Sequence, residues 1–130
     1  MSRSLFLIFN HQLTKIQEDD ARSSLDVRLI INLPPDLEIL WRQLPPDLPE
    51  IDDDLAPIKK WLSDRASESD YVLIQGDFGA TFIMVNFALE KRLIPVYSTS
   101  RREAMEEQQP DGSVKLIHHF EHRMFRKYRF

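Results

Sequence analysis

Cysteine is absent from the 130 residues, which excludes disulfides, thiolate metal sites and cysteine nucleophiles. No apolar run approaches the roughly 20 residues that a membrane span requires, so no membrane partner is expected. The opening Leu5-Phe6-Leu7-Ile8-Phe9 is too short for a signal-peptide core and no small-residue cleavage site follows it. It reads instead as the buried first strand of a cytoplasmic protein. The signatures of several common chemistries are also missing. No Gly-Lys-Ser/Thr ending marks a Walker loop, no third glycine completes a dinucleotide fingerprint, and no Gly-x-Ser-x-Gly elbow supports a serine triad. There is no internal repeat and no low-complexity segment.

What is present is ordinary for a globular chain: 42% hydrophobic and 29% charged residues. The length supports one core, hence a single domain over 1–130. The net charge of −4 is unevenly spread. Asp47 to Asp54 is acidic, whereas Arg101-Arg102 and the stretch from His118 to Arg129 are basic. A small anion held in a local basic pocket fits this better than duplex nucleic acid on a broad basic face.

Along the chain, Leu5 to Phe9 is apolar at every position, as expected for a central strand covered on both faces. Thr14 and Gln17 have capping-box spacing, with Ile16, Ala21 and Leu25 forming the apolar stripe of a helix. Val27 to Asn32 reads as a second strand, ended by Pro34-Pro35. Asp36 to Trp41 has helical spacing. Ile51 to Ala66 forms a longer helix with Leu55, Ile58, Trp61 and Leu62 on one face, which requires Pro57 near its first turn. Both tryptophans are expected in the core. Tyr71 to Gln75 is a third strand that breaks into Gly76-Asp77-Phe78-Gly79 before a helix reaching Arg92, and Leu93 to Tyr97 is a fourth strand. Ser98 to Glu103 reads as a polar loop after it. Beyond Glu103, an Asp111-Gly112 turn between extended stretches predicts a long β-hairpin. His122 to Phe130 reads as an exposed strand or tail.

Strand, polar turn and helix start recur in a way that points to the carboxyl edge of an open α/β sheet, where ligands bind. There a helix N-terminus offers unpaired amides to an anion. In the third turn, Gly76 and Gly79 would permit close backbone approach, Gln75 would read a base or ribose, and Asp77 would act on a hydroxyl. Equally, Asp77 serves as a helix N-cap and the glycines as turn formers. Ser98, Thr99, Ser100, Arg101 and Arg102 offer hydroxyls and guanidinium groups suited to a phosphodiester, or else form a solvated charge run. His11, at the end of the first strand, would protonate a leaving oxygen or remain a solvated imidazole. His118 and His119 would point to opposite faces of a strand, so no metal is expected there, and no other cofactor is expected. Asp52, Asp53 and Asp54 read as a solvated helix start.

Taken together, Leu5 to Thr14, Pro57 to Leu62, Gln75 to Thr81, Ile94 to Ala104 and Phe125 to Tyr128 resemble a family of small accessory proteins of type III CRISPR systems, the CARF-like ring nuclease group. The resemblance implies a CARF-like, Rossmann-like α/β fold with a mainly parallel sheet and a C-terminal β-hairpin. It further implies a homodimer that binds cyclic oligoadenylate, most plausibly cyclic tetra-adenylate, across its two-fold axis and cleaves it without a metal by 2′-hydroxyl attack. The matching positions are Asn10, His11, Gln75, Gly76, Asp77, Thr81, Ser98, Thr99, Arg101 and Arg102. Under that reading His11, Asp77 and Arg101 are catalytic, and Asn10, Gln75, Gly76, Phe78, Gly79, Thr81, Ser98, Thr99 and Arg102 bind the ligand. The alternatives are a protein of the same fold that sequesters the ring uncut, or a protein–protein adaptor using the basic tail.

Overall fold

The computed structural model describes residues 3–129. Five strands, β1 (Arg3–Phe9), β2 (Val27–Asn32), β3 (Tyr71–Gln75), β4 (Ile94–Gln108) and β5 (Val114–Lys127), form one sheet in the order β2-β1-β3-β4-β5. The first four are parallel, and β5 returns antiparallel to β4. Four helices connect them: α1 (Lys15–Ser24), α2 (Pro35–Arg42), α3 (Ala56–Arg65) and α4 (Phe78–Glu90).

The alternating side chains of the central strands divide into two cores. Phe6, Ile8, Val72 and Ile74 face α2, α3 and α4, with both tryptophans among them. Leu5, Leu7, Tyr71 and Leu73 face α1, together with Val96 and Phe125. Coverage on both sides is why β1 and β3 read as unbroken apolar runs. The chain moves one way across the sheet through α1 and the other way through α2–α4, so right-handed crossovers place these helices on opposite faces.

Several local expectations hold. Thr14 and Gln17 form both halves of the capping box, Tyr71 to Gln75 is β3, and Leu55, Ile58, Trp61 and Leu62 are all buried. The expected Ile51–Ala66 helix is a turn of 3-10 helix (Asp53–Leu55) followed by α3, with Pro57 in its first turn, where the missing amide costs nothing. Among the described residues no helix is long and apolar enough to cross a membrane.

Three expectations are corrected. Ile16 is 56% exposed, and the buried residues of α1 are Gln17 and Ala21. The last strand of the parallel set does not end at Tyr97: β4 continues to Gln108, so Ser98 to Glu103 is strand rather than loop. Its ladder with β5 supplies the hydrogen bonds that its polar side chains give no hint of. Finally, His122 to Lys127 is strand, as one of the two alternatives had it, but it is not wholly exposed: it belongs to β5 and anchors the chain through buried Phe125; Phe130 lies outside the described residues.

Candidate functional site

The strand order reverses between β1 and β3, because β2 lies on one side of β1 and the chain returns to the other. Phe9 and Gln75 are register partners there. The loops that leave them, Asn10-His11-Gln12 and Gly76-Asp77, therefore depart side by side from the carboxyl edge, then diverge to α1 on one face and α4 on the other. Such a switch point is where an open α/β sheet forms a crevice.

The turn after β3 is held by aromatic donors. Trp41 Nε1 donates to the Gln75 carbonyl at 3.0 Å, and the Tyr128 hydroxyl donates to the Ile74 carbonyl at 2.6 Å. Burial, and the neighbouring Tyr97 to a smaller extent, pushes the Tyr128 hydroxyl above its ordinary pKa. A Cβ at Gly76 would lie 2.7 Å from Trp41 Nε1 and under 3.0 Å from two ring carbons. Gly76 is thus required for the indole to pack. Gly79 differs, since a Cβ there would meet only Asp77 Oδ1, at an ordinary 3.5 Å. Asp77 is the N-cap of α4, accepting from the Ala80 amide at 3.0 Å. The Thr81 amide donates to the Asp77 carbonyl, so the Phe78 and Gly79 amides are the ones left without a partner among the described residues. The Phe78 ring is 94% exposed, and the Thr81 hydroxyl is buried without a partner.

The remaining candidates are distributed more widely. His11 is exposed, its ring edge-on to Phe9 at 5.5 Å between centroids. It lines a cleft of about 640 Å³ with Gln12, Glu18, Arg22, Asn32 and Glu38, which includes none of Gln75, Asp77 and Arg101. Asp77 and Gly79 border a separate hollow against Leu44 to Asp52. Asn10 is half-buried beside His11. The Gln75 side-chain oxygen accepts from the Ser98 amide at 2.8 Å. The Thr99 hydroxyl is turned to the Met124 backbone. Arg101 and Arg102 occupy successive strand positions, so their side chains leave opposite faces of the β4–β5 ribbon. Arg101 lies 3.5 Å from Glu103. Arg102 donates to His118 and stacks over Phe120. The expected polar loop with two arginines is therefore strand, with the two guanidinium groups on opposite faces. His118 and His119 do fall on opposite faces, opposite Ala104 and Glu103.

One constellation was not expected from the sequence. Ser98 Oγ lies 2.5 Å from His122 Nδ1, and His122 Nε2 lies 2.7 Å from Asp20 Oδ2. Gln17 Nε2 donates to the same Ser98 hydroxyl at 3.2 Å. A proton on Nε2 satisfies both contacts: the imidazole donates to Asp20 and accepts from Ser98. The His122 side chain is only 5% exposed. Burial pushes the Asp20 carboxyl up, but hydrogen bonds from Ser24 and His122, with the attraction of His122, outweigh it and leave the group below its ordinary range. This is a Ser-His-Asp chain, but with the nitrogens exchanged relative to the serine-protease arrangement, and it ties α1, β4 and β5 together at the sheet edge. The hairpin turn offered a partial signal: counting outward from Asp111-Gly112 sets Ser100 opposite His122. No spacing pointed to Asp20.

A family model described as "Uncharacterized protein MJ1673 family" matches residues 3–126. The chain belongs to the MJ1673 family. A protein of Methanocaldococcus jannaschii described as "Uncharacterized protein MJ1673" is similar, at 52% identity over 124 residues, covering 95% of each chain. No solved structure matches. In this MJ1673-family chain the matched range takes in every candidate residue from Asn10 to Arg102 and the whole Asp20–His122–Ser98 chain.

Proposed function

We propose that the chain is a CARF-like, Rossmann-like ring nuclease of a type III CRISPR system, which binds cyclic oligoadenylate, specifically cyclic tetra-adenylate, and opens it without a metal. The observation that carries this reading is the turn Phe78-Gly79 at the switch point. It has two free amides at the start of α4, a glycine that packing does not require, and an aromatic ring left in solvent. Free amides suit phosphate, and an exposed ring suits a stacked base.

In the reaction the ribose 2′-oxygen bonds to phosphorus and the bond to the 5′-oxygen breaks, giving a linear product with a 2′,3′-cyclic phosphate. The proton lost by the 2′-oxygen is balanced by protonation of the leaving 5′-oxygen. We assign that transfer to His11, the exposed imidazole of the β1 loop. Asp77 is left to support the turn, since its Oδ1 is held by Ala80. Arg101, on the α4 side of the ribbon, stabilises phosphoryl charge. Holding a nucleophile that the ligand already contains in line with its target contributes several kcal/mol. A two-fold symmetric ring would be shared by two copies of the chain.

The commitment of Asp77, Ser98 and Thr99 to bonds within the protein favours a second reading, in which the ring is sequestered uncut. Incubating the protein with radiolabelled cyclic tetra-adenylate in EDTA and resolving the products separates the two. Linear product supports the nuclease; a ring still uncut after hours at stoichiometric protein overturns it. A missing thermal shift with any cyclic oligoadenylate overturns both. Phe78→Ala should weaken binding, whereas His11→Ala should slow turnover and leave binding nearly intact.

A further inference from the structure

β4 pairs with β3 only through Ile94, Pro95 and Val96. Past Ser98 the ribbon of β4 and β5 leaves the body of the sheet, and Ser100–Gln108 pairs only with Val114–His122. Nine residues per strand make an arm about 30 Å long. A two-stranded ribbon is marginal by itself in water, and β5 also presents an open sheet edge. Despite this, the arm is apolar along one face: Val114 is 56%, Leu116 57% and Phe120 70% exposed.

Cross-strand partners share a face, so this face carries Arg102 beside Phe120, Ala104 beside His118, Glu106 beside Leu116 and Gln108 beside Val114. The sequence of charges along it is self-complementary. About a centre at Ala104 and His118, Arg102 and Phe120 stand two residues toward the base, and Glu106 and Leu116 two residues toward the tip. A second arm laid across in the opposite direction puts Arg102 against Glu106 and Phe120 against Leu116, twice each. This is the pattern an isologous contact requires. The other face lacks it: about Met105 and Ile117, the same operation sets Glu103 against Glu107 and His119 against Lys115. Nor is the arm basic, since Arg101, Arg102 and Lys115 are outnumbered by Glu103, Glu106, Glu107 and Glu121, which argues against nucleic acid as the occupant.

We infer that the Arg102, Leu116 and Phe120 face of the β4–β5 arm docks on the same face of a second copy, arms antiparallel, with Arg102 of each opposite Glu106 of the other. Arg102 is then an interface residue and not a ligand to phosphate. The inference concerns where two copies meet and uses no contact with the cyclic nucleotide, so a dimer that survives Phe120→Glu overturns it and leaves the functional reading standing, whereas a monomeric wild type also counts against a ring shared by two copies.

Sedimentation velocity or light scattering on the full chain at micromolar concentration should show a dimer. Phe120→Glu, at an exposed position, should raise the dimer dissociation constant on the order of 100-fold while the far-ultraviolet spectrum stays that of the folded chain. Arg102→Glu should raise it about tenfold by facing two like charges, and adding Glu106→Arg should restore it. Met105→Glu, on the opposite face, should leave the dimer intact. A monomeric wild type, a dimer that survives Phe120→Glu, or disruption by Met105→Glu equal to that by Phe120→Glu would each overturn the inference. If Phe120→Glu does not fold, the paired reversal decides: no restoration by Glu106→Arg overturns it.

Discussion

One strand, β4, lives in two environments. Its first residues, paired with β3, have Pro95 and Val96 fully buried beneath α4 and α1, whereas Arg101 to Gln108 are exposed along their whole length. The backbone is extended throughout and paired with β5 from Val96 to Gln108, with one bulge. What differs is whether anything covers the side chains. In the body, burial selects the residues and the strand is written as apolar sequence. In the arm, pairing alone holds the strand, and side chains are free to serve contacts outside the chain.

Substitutions should separate the two environments, most sharply in the core. Ile74→Ala, at a fully buried position of β3, should cost about 2–5 kcal/mol in urea unfolding, while Met105→Ala on the arm should stay within about 0.5 kcal/mol. Equal losses at the two sites would mean that the arm is packed in solution. Gly76→Ala tests the rigid junction between body and site. With the Trp41 ring in the way, it should cost about 1–3 kcal/mol and blue-shift or broaden tryptophan emission; Gly79→Ala, where a Cβ meets only Asp77 at an ordinary distance, should do neither.

The Asp20–His122–Ser98 chain stands where the arm joins the body, and His122→Ala should cost about 1–3 kcal/mol by leaving partly buried partners unsatisfied. Because the Asp20 carboxyl is held below its ordinary range in the folded chain, its contribution is present at neutral pH and is lost as acid titrates it through that lowered value. Urea midpoints followed into the acid range should fall, and Asp20→Asn should flatten that limb. A parallel fall in the variant would assign the acid sensitivity elsewhere. The smallest effect is expected at Arg101→Ala, within about 0.5 kcal/mol of wild type, since its partner Glu103 is a solvent-exposed ion pair.

The same contrast explains what could be read from the sequence. β1 and β3 were legible because both of their faces are buried, α1 because its cap is spelled out by Thr14 and Gln17, and the hairpin because Gly112 supplies the positive φ, +87°, of its turn. The length of β4 was not legible, because an exposed ribbon imposes no alternation on Arg101-Arg102-Glu103. Ile16 misled because apolar spacing cannot say which side of a helix is covered; buried Gln17 is retained by its bonds to Thr14 and Ser98. Of the three loops expected at the sheet edge, those after β1 and β3 do leave its carboxyl end, whereas Ser98 to Glu103 is strand. The joining of Asp20 to His122, 102 residues apart, depends on how α1 lies against β5, which no local pattern records.

The ladder between Thr99–Met124 and Ser100–His122 leaves Arg123 as an extra residue on β5, and this sets the phase of the segment. Counted in twos, Val114, Leu116, His118, Phe120 and His122 share a side, and the same count carried onward would send Phe125 to the other. The bulge resets the count, so an even-numbered stripe on the arm and an odd-numbered anchor in the body lie on one side. Frame matters more here than composition. A residue inserted between Phe120 and His122 forces either the stripe or the anchor to turn over, whereas exchanging exposed side chains one at a time leaves both where they are.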